Sequence, residues 1–497
     1  MKKFLAILFT IGLVTYSCSS DLDVENVNQP DRERALKSDS DITSLINGSI
    51  TSIFSRLIGF HNIYTNQMSD QTTTTNAYSD FWAFGDQPRR AMNNTATNGS
   101  LFTISSNWGG FNSQIYNANT LLDLVNNKGR TILNDDDEDV TDHLVTTAKF
   151  IRGMGQCYLG MLYDKGYIMD ENTDPTTVEF SSYDEMIASG LEDLDDVLAN
   201  TPTGYELQLY QGYSIDRADF IKLVNTYMVK FIMGKARTAS EIVDYAKALT
   251  HANNGITADF NPPAKQNVLF NNGQDWMCYT LSGGAAYIPV DQKIPYLAAN
   301  NPTAQPADYP TDSNIVLAQA VSNDPRFANY FGYSTDFGYL NEARGRELFS
   351  NTKHERFKTG NNRNVNGHST NIFSLAELQY LKAEAQYKSG NLAGAAATLD
   401  ASPRNTEGNM TTTATDVEIK KALLYEYAIE LHLNGSLGNN YFFMRRNDLL
   451  QKGTPTHFPV PADELGITGD ATYTFGGESN AGQDGTAIGG ALSWKNL

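Results

Sequence analysis

The chain has 497 residues, with 57 acidic against 37 basic side chains and a formal charge of −20 at pH 7. A surface of that sign repels phosphate backbones and anionic lipid headgroups, which argues against nucleic acid as a partner and suits solubility. The length is ample for a large buried core, and three cysteines are too few for a disulfide framework.

Lys2 and Lys3 precede an apolar run from Phe4 to Val14, followed by small and polar residues, which is the pattern of a secretory signal peptide over residues 1–17. The run is shorter than the about 20 apolar residues that cross a bilayer, and no later stretch approaches that length. Val14-Thr15-Tyr16-Ser17-Cys18 resembles a bacterial lipobox, which implies lipidation of Cys18. Several acyl chains, each contributing about 0.8 kcal/mol per buried CH₂, would anchor the protein to a membrane. The alternative is cleavage to a free, soluble chain. Residues 18–38 carry Asp21, Asp23, Glu25 and Pro30 without periodicity and read as a lipidated N-terminus and tether.

Helical patterns begin next. Ile42, Ile46, Ile50, Ile53 and Leu57 form one stripe behind the capping pair Ser38 and Asp41, and Trp108, Phe111, Ile115, Ala118, Leu122 and Val125 form a second. Leu144, Ala148, Ile151, Gly155, Tyr158 and Leu162 form a third, in which Gly155 and Gly160 admit a close neighbour. The neighbour predicted is a helix opened by a Ser182–Glu185 capping box and carrying Tyr183, Ile187, Gly190, Leu194 and Val197. A second hairpin pairs an Asp216-capped helix (Phe220, Val224, Tyr227, Phe231) with one capped by Ser240 (Ile242, Ala246, Leu249). A third pairs Leu375, Leu378, Leu381 and Ala385, stopped by Gly390, with the alanine-rich Leu392 to Leu399, and Ile419, Leu423, Tyr427 and Leu431 mark a further helix. Repeated hairpins with the turn Ala383-x-x-x-Tyr387-x-x-Gly390 predict an all-α body of stacked tetratricopeptide-like units, interrupted by long insertions.

From about 253 to 360 the chain changes character. Eight prolines, from Pro262 to Pro325, recur among Gly, Asn and Tyr, so helices of any length are not expected there. Ordered loops on a rigid helical scaffold are where binding residues concentrate. Residues 466–497 are glycine-rich and read as a packed but irregular tail. Cys157 falls inside a predicted helix and Cys278 in the insertion; two unpaired thiols are favoured over a disulfide.

Catalytic signatures are missing: there is no HExxH, GxSxG or GxxxxGK[ST], and Gly153-x-Gly155 lies mid-helix. The acidic run Asp135–Asp139 lacks the glycine and terminal glutamate of a calcium loop, and Asp170, Asn172 and Asp174 are followed by Pro175 where glycine is required. The histidines are dispersed; His354 and His368 lack a third ligand at recognisable spacing and read as ordinary polar residues. No metal or cofactor is implied, and the expectation is a binding protein rather than an enzyme.

Aromatics carry the binding signal. Tyr78, Phe81, Trp82 and Phe84 crowd the loop after the first helix beside Asp70, Arg89, Arg90, Asn93 and Asn94, and Trp276, Tyr279, Tyr287 and Tyr296 crowd the insertion. A sugar ring presents C–H groups on its faces and hydroxyls at its rim, so aromatic platforms flanked by Asn, Asp and Arg suit it; a peptide could use the same surface. The candidate ligand-binding set is therefore Asp70, Tyr78, Trp82, Arg89, Asn93, Trp276, Tyr279 and Tyr287, set against the plainer reading that the aromatics form small cores of their own loops.

The segment Lys149-Phe150-Ile151-Arg152-Gly153-Met154-Gly155-Gln156-Cys157-Tyr158-Leu159-Gly160, continuing through Tyr163-Asp164-Lys165-Gly166-Tyr167, resembles the SusD/RagB family of nutrient-binding outer-membrane lipoproteins. So do Asp324-Pro325-Arg326, Leu375 to Ala385 with Gly390, Glu426 to Leu431 with Arg445 and Arg446, and Gly453-Thr454 with His457-Phe458-Pro459-Val460-Pro461. The Asn-Pro-Gly-Tyr type of ending common in that family is replaced after Tyr473 by Gly476 and Gly477. The resemblance implies a SusD-like α-α superhelix over residues 39–497 with four tetratricopeptide-like hairpins. It implies display on the outer membrane, facing outward, as a lid over a TonB-dependent transporter of the SusC/RagA type, to which captured oligosaccharide or peptide is delivered. Arg445, Arg446 and Phe458-Pro459 match structural motifs of the family and are read as scaffold. Two rival expectations are an interaction scaffold for the transporter without its own ligand site, and a surface glycoside hydrolase.

Overall fold

The computed structural model describes residues 36–59, 62–75, 80–210, 212–262, 288–300, 305–306, 316–335, 350–356, 371–435, 437–490 and 493–496. Helix α1 (Asp39–Leu57) starts where the extended Ser38 accepts a hydrogen bond from the Asp41 amide at 3.1 Å, and its predicted stripe from Ile42 to Leu57 is wholly buried. Two short helices follow, α2 (Ile63–Met68) and α3 (Trp82–Gly85), then α4 (Phe102–Leu122), which ends in a π-helical turn (Asp123–Asn127), and α5 (Thr141–Leu162). The antiparallel pair β1 (Lys165–Tyr167) and β2 (Phe180–Ser182) leads into α6 (Tyr183–Asn200), where both halves of the Ser182–Glu185 capping box are present.

α5 packs on α6 and on α4, and its glycines set how closely. A Cβ on Gly160 would stand 2.7 Å from Ile187 and 2.8 Å from the Tyr183 carbonyl oxygen, and one on Gly155 would stand 2.8 Å from Ile115. The close approach predicted at these two positions is therefore real.

The antiparallel β3 (Glu206–Tyr210) and β4 (Tyr213–Asp216) deliver Asp216 to the N-terminus of α7 (Arg217–Gly234), where it accepts from the Asp219 amide at 2.9 Å. The partner helix α8 starts later than expected, spanning Tyr245–Ala252. Asp244, not Ser240, is the cap, accepting from the Lys247 amide at 2.8 Å, and Ile242 stands 90 % exposed instead of on the buried face. A carboxylate satisfies the free amides and also meets the positive end of the helix dipole, which gives Asp244 the advantage over a serine hydroxyl.

Within the proline-rich region two six-residue helices form, α9 (Lys293–Ala298) and α10 (Pro325–Tyr330), the second with Asp324 as cap and Pro325 at the first turn, where a missing N–H costs nothing. That corrects the expectation of no helix there. An antiparallel pair, β5 (Phe331–Tyr333) with β6 (Thr352–His354), follows. The C-terminal helices are α11 (Leu375–Lys388), α12 (Leu392–Asp400), α13 (Pro403–Thr406), α14 (Asp416–Ile429), α15 (Asn439–Arg446) and α16 (Ala462–Thr468). Gly390, at φ +81°, ends α11 as predicted. α7 packs on α8, α8 on α11, α11 on α12 and α14, and α14 on α15.

The result is an all-α, tetratricopeptide-like architecture with short two-stranded sheets at its turns. One buried cluster runs from Ile42 in α1 to Trp494 in the tail, and a smaller one joins α9, α10 and α14 through Val290, Ile294, Phe327, Phe331 and Ile429. After α16 the tail is irregular but tied down: the Ala487 amide donates to the Thr454 carbonyl at 2.8 Å, and Pro455 and Thr486 form an antiparallel bridge. Cys157 is a free thiol buried in α5, its pKa pushed well up by that burial. Cys18 and Cys278 lie outside the described residues.

Candidate ligand-binding surface

The segment after α2 is extended. Thr72 forms an antiparallel bridge with Val290, the Thr73 amide donates to the Pro289 carbonyl at 3.0 Å, and the Asp291 amide donates to the Gln71 carbonyl at 3.0 Å. In an antiparallel pair the chain beyond Thr73 and the chain before Pro289 run off in the same direction. The first leads into the Tyr78–Trp82 stretch and the second comes out of the insertion holding Trp276, Tyr279 and Tyr287. The roots of the two aromatic stretches are thus side by side, although about 200 residues separate them in sequence. Four consecutive β-branched residues, Thr72 to Thr75, are the sequence signal that marks this extended segment.

Asp70 and Arg89 do meet, but beneath the surface. Their side chains are 1 % and 2 % exposed and 2.5 Å apart. Asp70 Oδ1 also accepts from Gln451 Nε2 at 2.7 Å, Oδ2 accepts from the Trp494 indole at 2.8 Å, and Arg89 Nε donates to the Thr454 hydroxyl at 3.1 Å. The pair is a buried clamp joining the loop after α2 to the C-terminal tail. Sequence reasoning named Asp70 and Arg89 but missed Gln451, Thr454 and Trp494, because contacts across more than 350 residues leave no local pattern.

Trp82 opens α3 half-buried, with the Arg90 guanidinium 4.4 Å above its ring. Arg90 is anchored by an ion pair to Asp86, and its side chain is 56 % exposed. Of the neighbouring aromatics, Phe81 is wholly buried and Phe84 packs on Tyr64 at 5.6 Å, so these two belong to the core as the plainer reading expects. Asn93 is exposed, its amide oxygen accepting from the Thr95 hydroxyl at 2.9 Å. Asn94 is buried and holds Val460, Ala462 and Tyr473 by backbone hydrogen bonds of 2.9 Å. Tyr296 packs on Trp494 at 5.8 Å. Tyr78, Trp276, Tyr279 and Tyr287 lie outside the described residues.

A polar layer underlies these roots. Lys293 Nζ donates to the Ser69 carbonyl at 2.5 Å, and burial lowers its pKa. Asp291 lies nearby with its pKa raised, first by burial and then by the charge of Asp70. His432 contacts the Gln71 side-chain amide and the His354 ring, each at 2.7 Å. His354 is therefore not the ordinary polar residue expected: burial holds it neutral, with a pKa lowered to about 3. His368 lies outside the described residues.

The acidic segments are occupied locally. Asp170 accepts from the Asn172 amide and the Thr173 hydroxyl, and Asp174 from the Thr176 amide, so their carboxylates close turns. Among the described residues no three His, Cys, Asp or Glu side chains converge to hold a metal ion, and no helix is long and apolar enough to cross a membrane.

Solved structures share this architecture at low sequence identity. A SusD homolog from Parabacteroides distasonis is 13 % identical, with 87 % of this chain and 93 % of that chain covered at a TM-score of 0.58. The surface glycan-binding protein A from Bacteroides uniformis is 16 % identical, covering 87 % and 90 % at a TM-score of 0.54. A laminarin-binding SusD-like protein is 14 % identical, covering 88 % and 95 % at a TM-score of 0.52. No protein-family profile and no curated protein sequence matches the chain. The chain has the SusD-like fold.

Proposed function

We propose that this protein is a lipid-anchored, cell-surface nutrient-binding protein that captures oligosaccharides and passes them to a TonB-dependent outer-membrane transporter, without chemistry of its own. The observation that carries the reading is the Thr72–Val290 bridge, which starts both aromatic stretches from one place. Ligand contact is assigned to Trp82, with Tyr78, Trp276, Tyr279 and Tyr287 completing the platform and Asn93 at its rim. Arg90 over Trp82 would add a guanidinium to the stacked face. Structural neighbours described as binding surface glycan and laminarin support a saccharide as ligand. Export and Cys18 lipidation rest on the N-terminal sequence, and outward display and delivery to the transporter rest on the family resemblance.

The test is affinity. Purified protein titrated with a panel of neutral oligosaccharides, laminarin fragments included, should bind at least one, and Trp82→Ala should weaken that binding by about 2 kcal/mol or more, roughly 30-fold, without lowering the melting temperature. Undiminished affinity in Trp82→Ala and Trp276→Ala would remove both platforms from the reading. A peptide panel run in parallel decides whether peptide is the cargo instead.

A further inference from the structure

Between the start of α6 and the C-terminal tail the protein holds a pocket of about 440 Å³. Its walls come from the start of α6, the segment after α7, the end of α15 with the chain that follows, and tail residues 482–489. Two of its lining side chains, Arg237 and Arg445, are 5 % and 1 % exposed. The other buried arginines among the described residues each have a carboxylate partner: Arg89 with Asp70, Arg326 with Asp324, Arg404 with Glu426 and Arg446 with Glu384. Arg237 and Arg445 form no ion pair with any described carboxylate.

What they have instead is carbonyl oxygens. Arg237 donates to Gly160 O at 2.6 Å and Tyr163 O at 2.9 Å, and Arg445 to Met161 O at 2.8 Å, Thr456 O at 2.9 Å and Gly234 O, around the C-termini of α5 and α7. Each helix end supplies roughly half a negative charge, so the two together supply about one. Two guanidiniums exceed that. The Nε–H of each arginine is buried without a hydrogen-bond partner, and so is Nε2 of His457, which lines the same pocket. Burial, together with the neighbouring Arg237, lowers the Arg445 pKa to about 9, as expected of a cation short of negative charge.

We propose that this pocket binds the carboxylate of a hexuronate, an acidic sugar residue, with Arg237 and Arg445 as its counter-charges. The size fits a small ligand and exceeds an inorganic anion. Hydroxyl groups of Tyr183, Thr238 and Ser240 and the amide of Gln483 line the pocket and match the hydroxyl-rich rim of a sugar. Glu241, whose carboxylate accepts from the Tyr183 hydroxyl at 3.2 Å, accepts sugar hydroxyls as well but repels multiply charged phosphates. Asp448 and Asp484 also line the pocket and, with Glu241, weigh against a multiply charged anion, so the ligand that suits both sets of groups is singly charged and hydroxyl-rich. The proposal rests on the saccharide-capture reading for the class of molecule and assigns a second, acid-selective site whose lining shares no residue with the Trp82 platform.

The experiment is calorimetric titration of the full mature chain at low ionic strength with D-glucuronate and D-galacturonate, against glucose, acetate and inorganic phosphate. At least one uronate should bind one to one, and the other three probes about tenfold more weakly or not at all. Thr238→Trp, on an exposed wall residue, should fill the pocket and weaken uronate binding about tenfold or more. Glu241→Gln should strengthen it several-fold, because it removes a like charge. Melting temperatures check that both variants fold. The proposal is overturned if acetate or phosphate binds as well as the uronates, if no uronate binds, or if both folded variants bind uronate like the parent. Neutral oligosaccharide binding is measured on the same samples: its loss in Trp82→Ala but not in Thr238→Trp separates the two sites, and its absence from the parent while uronate binds would defeat the platform reading alone.

Discussion

At the scale of single residues, the structure separates groups that look alike in sequence. Asp70 and Arg89 have the composition of a sugar-binding rim yet form a buried pair with Gln451, Thr454 and Trp494 around it. Breaking a buried pair by removing one partner strands the other charge, so Arg89→Met should lower stability by about 3–5 kcal/mol in urea denaturation. A change near zero would mean that the pair is free to serve a ligand. His354, His432 and His457 are all held neutral by burial, with pKa values lowered below that of an exposed histidine. Each binds a proton more readily in the unfolded chain, so stability is complete above about pH 6.5 and falls as pH drops below it, by about 1.4 kcal/mol per pH unit for each histidine. Thermal melts from pH 7.5 to 4.5 should show that decline, and His354→Gln should make it shallower; an equal slope in the variant would refute the assignment.

At the scale of elements, periodicity and caps were legible, and their limits are instructive. The stripes of α1, α5 and α7 are buried as their 3.6-residue spacing demands, because amphipathicity is local information. The start of α8 was misplaced, since Ser240 and Asp244 both offer caps and only the packed structure decides between them. Two substitutions test these elements. Ser374 caps α11 from a buried position, accepting from the Glu377 amide at 3.1 Å, and Ser374→Ala should cost about 1 kcal/mol. Gly160→Val should cost about 1–3 kcal/mol or more, because its side chain meets the Tyr183 carbonyl rather than a movable tip. Equilibrium unfolding measures both.

At the scale of the whole molecule, the chain closes on itself: the tail bridges back to residues 453–456 and inserts Trp494 against Asp70. Truncation before Gly482 should therefore destabilise the loop that carries Trp82 as well as the tail, read as faster proteolysis near residues 76–90. At the other end, Cys18→Ser should abolish acyl labelling and move the protein from the membrane fraction to the soluble one; unchanged partitioning would show that Cys18 is not the anchor.

The sequence by itself determined the helical class, most element positions and where the two aromatic stretches fall, because each is written in neighbouring residues as spacing, caps or composition. Tertiary structure alone decided that Asp70 and Arg89 face inward, that the roots of the two aromatic stretches adjoin, and that Arg237 and Arg445 line one pocket without forming an ion pair to any described carboxylate. Those facts depend on segments far apart in the chain meeting in a buried, low-dielectric interior, where an unpaired charge or an unmet hydrogen bond acquires its energy only after the fold has removed the water.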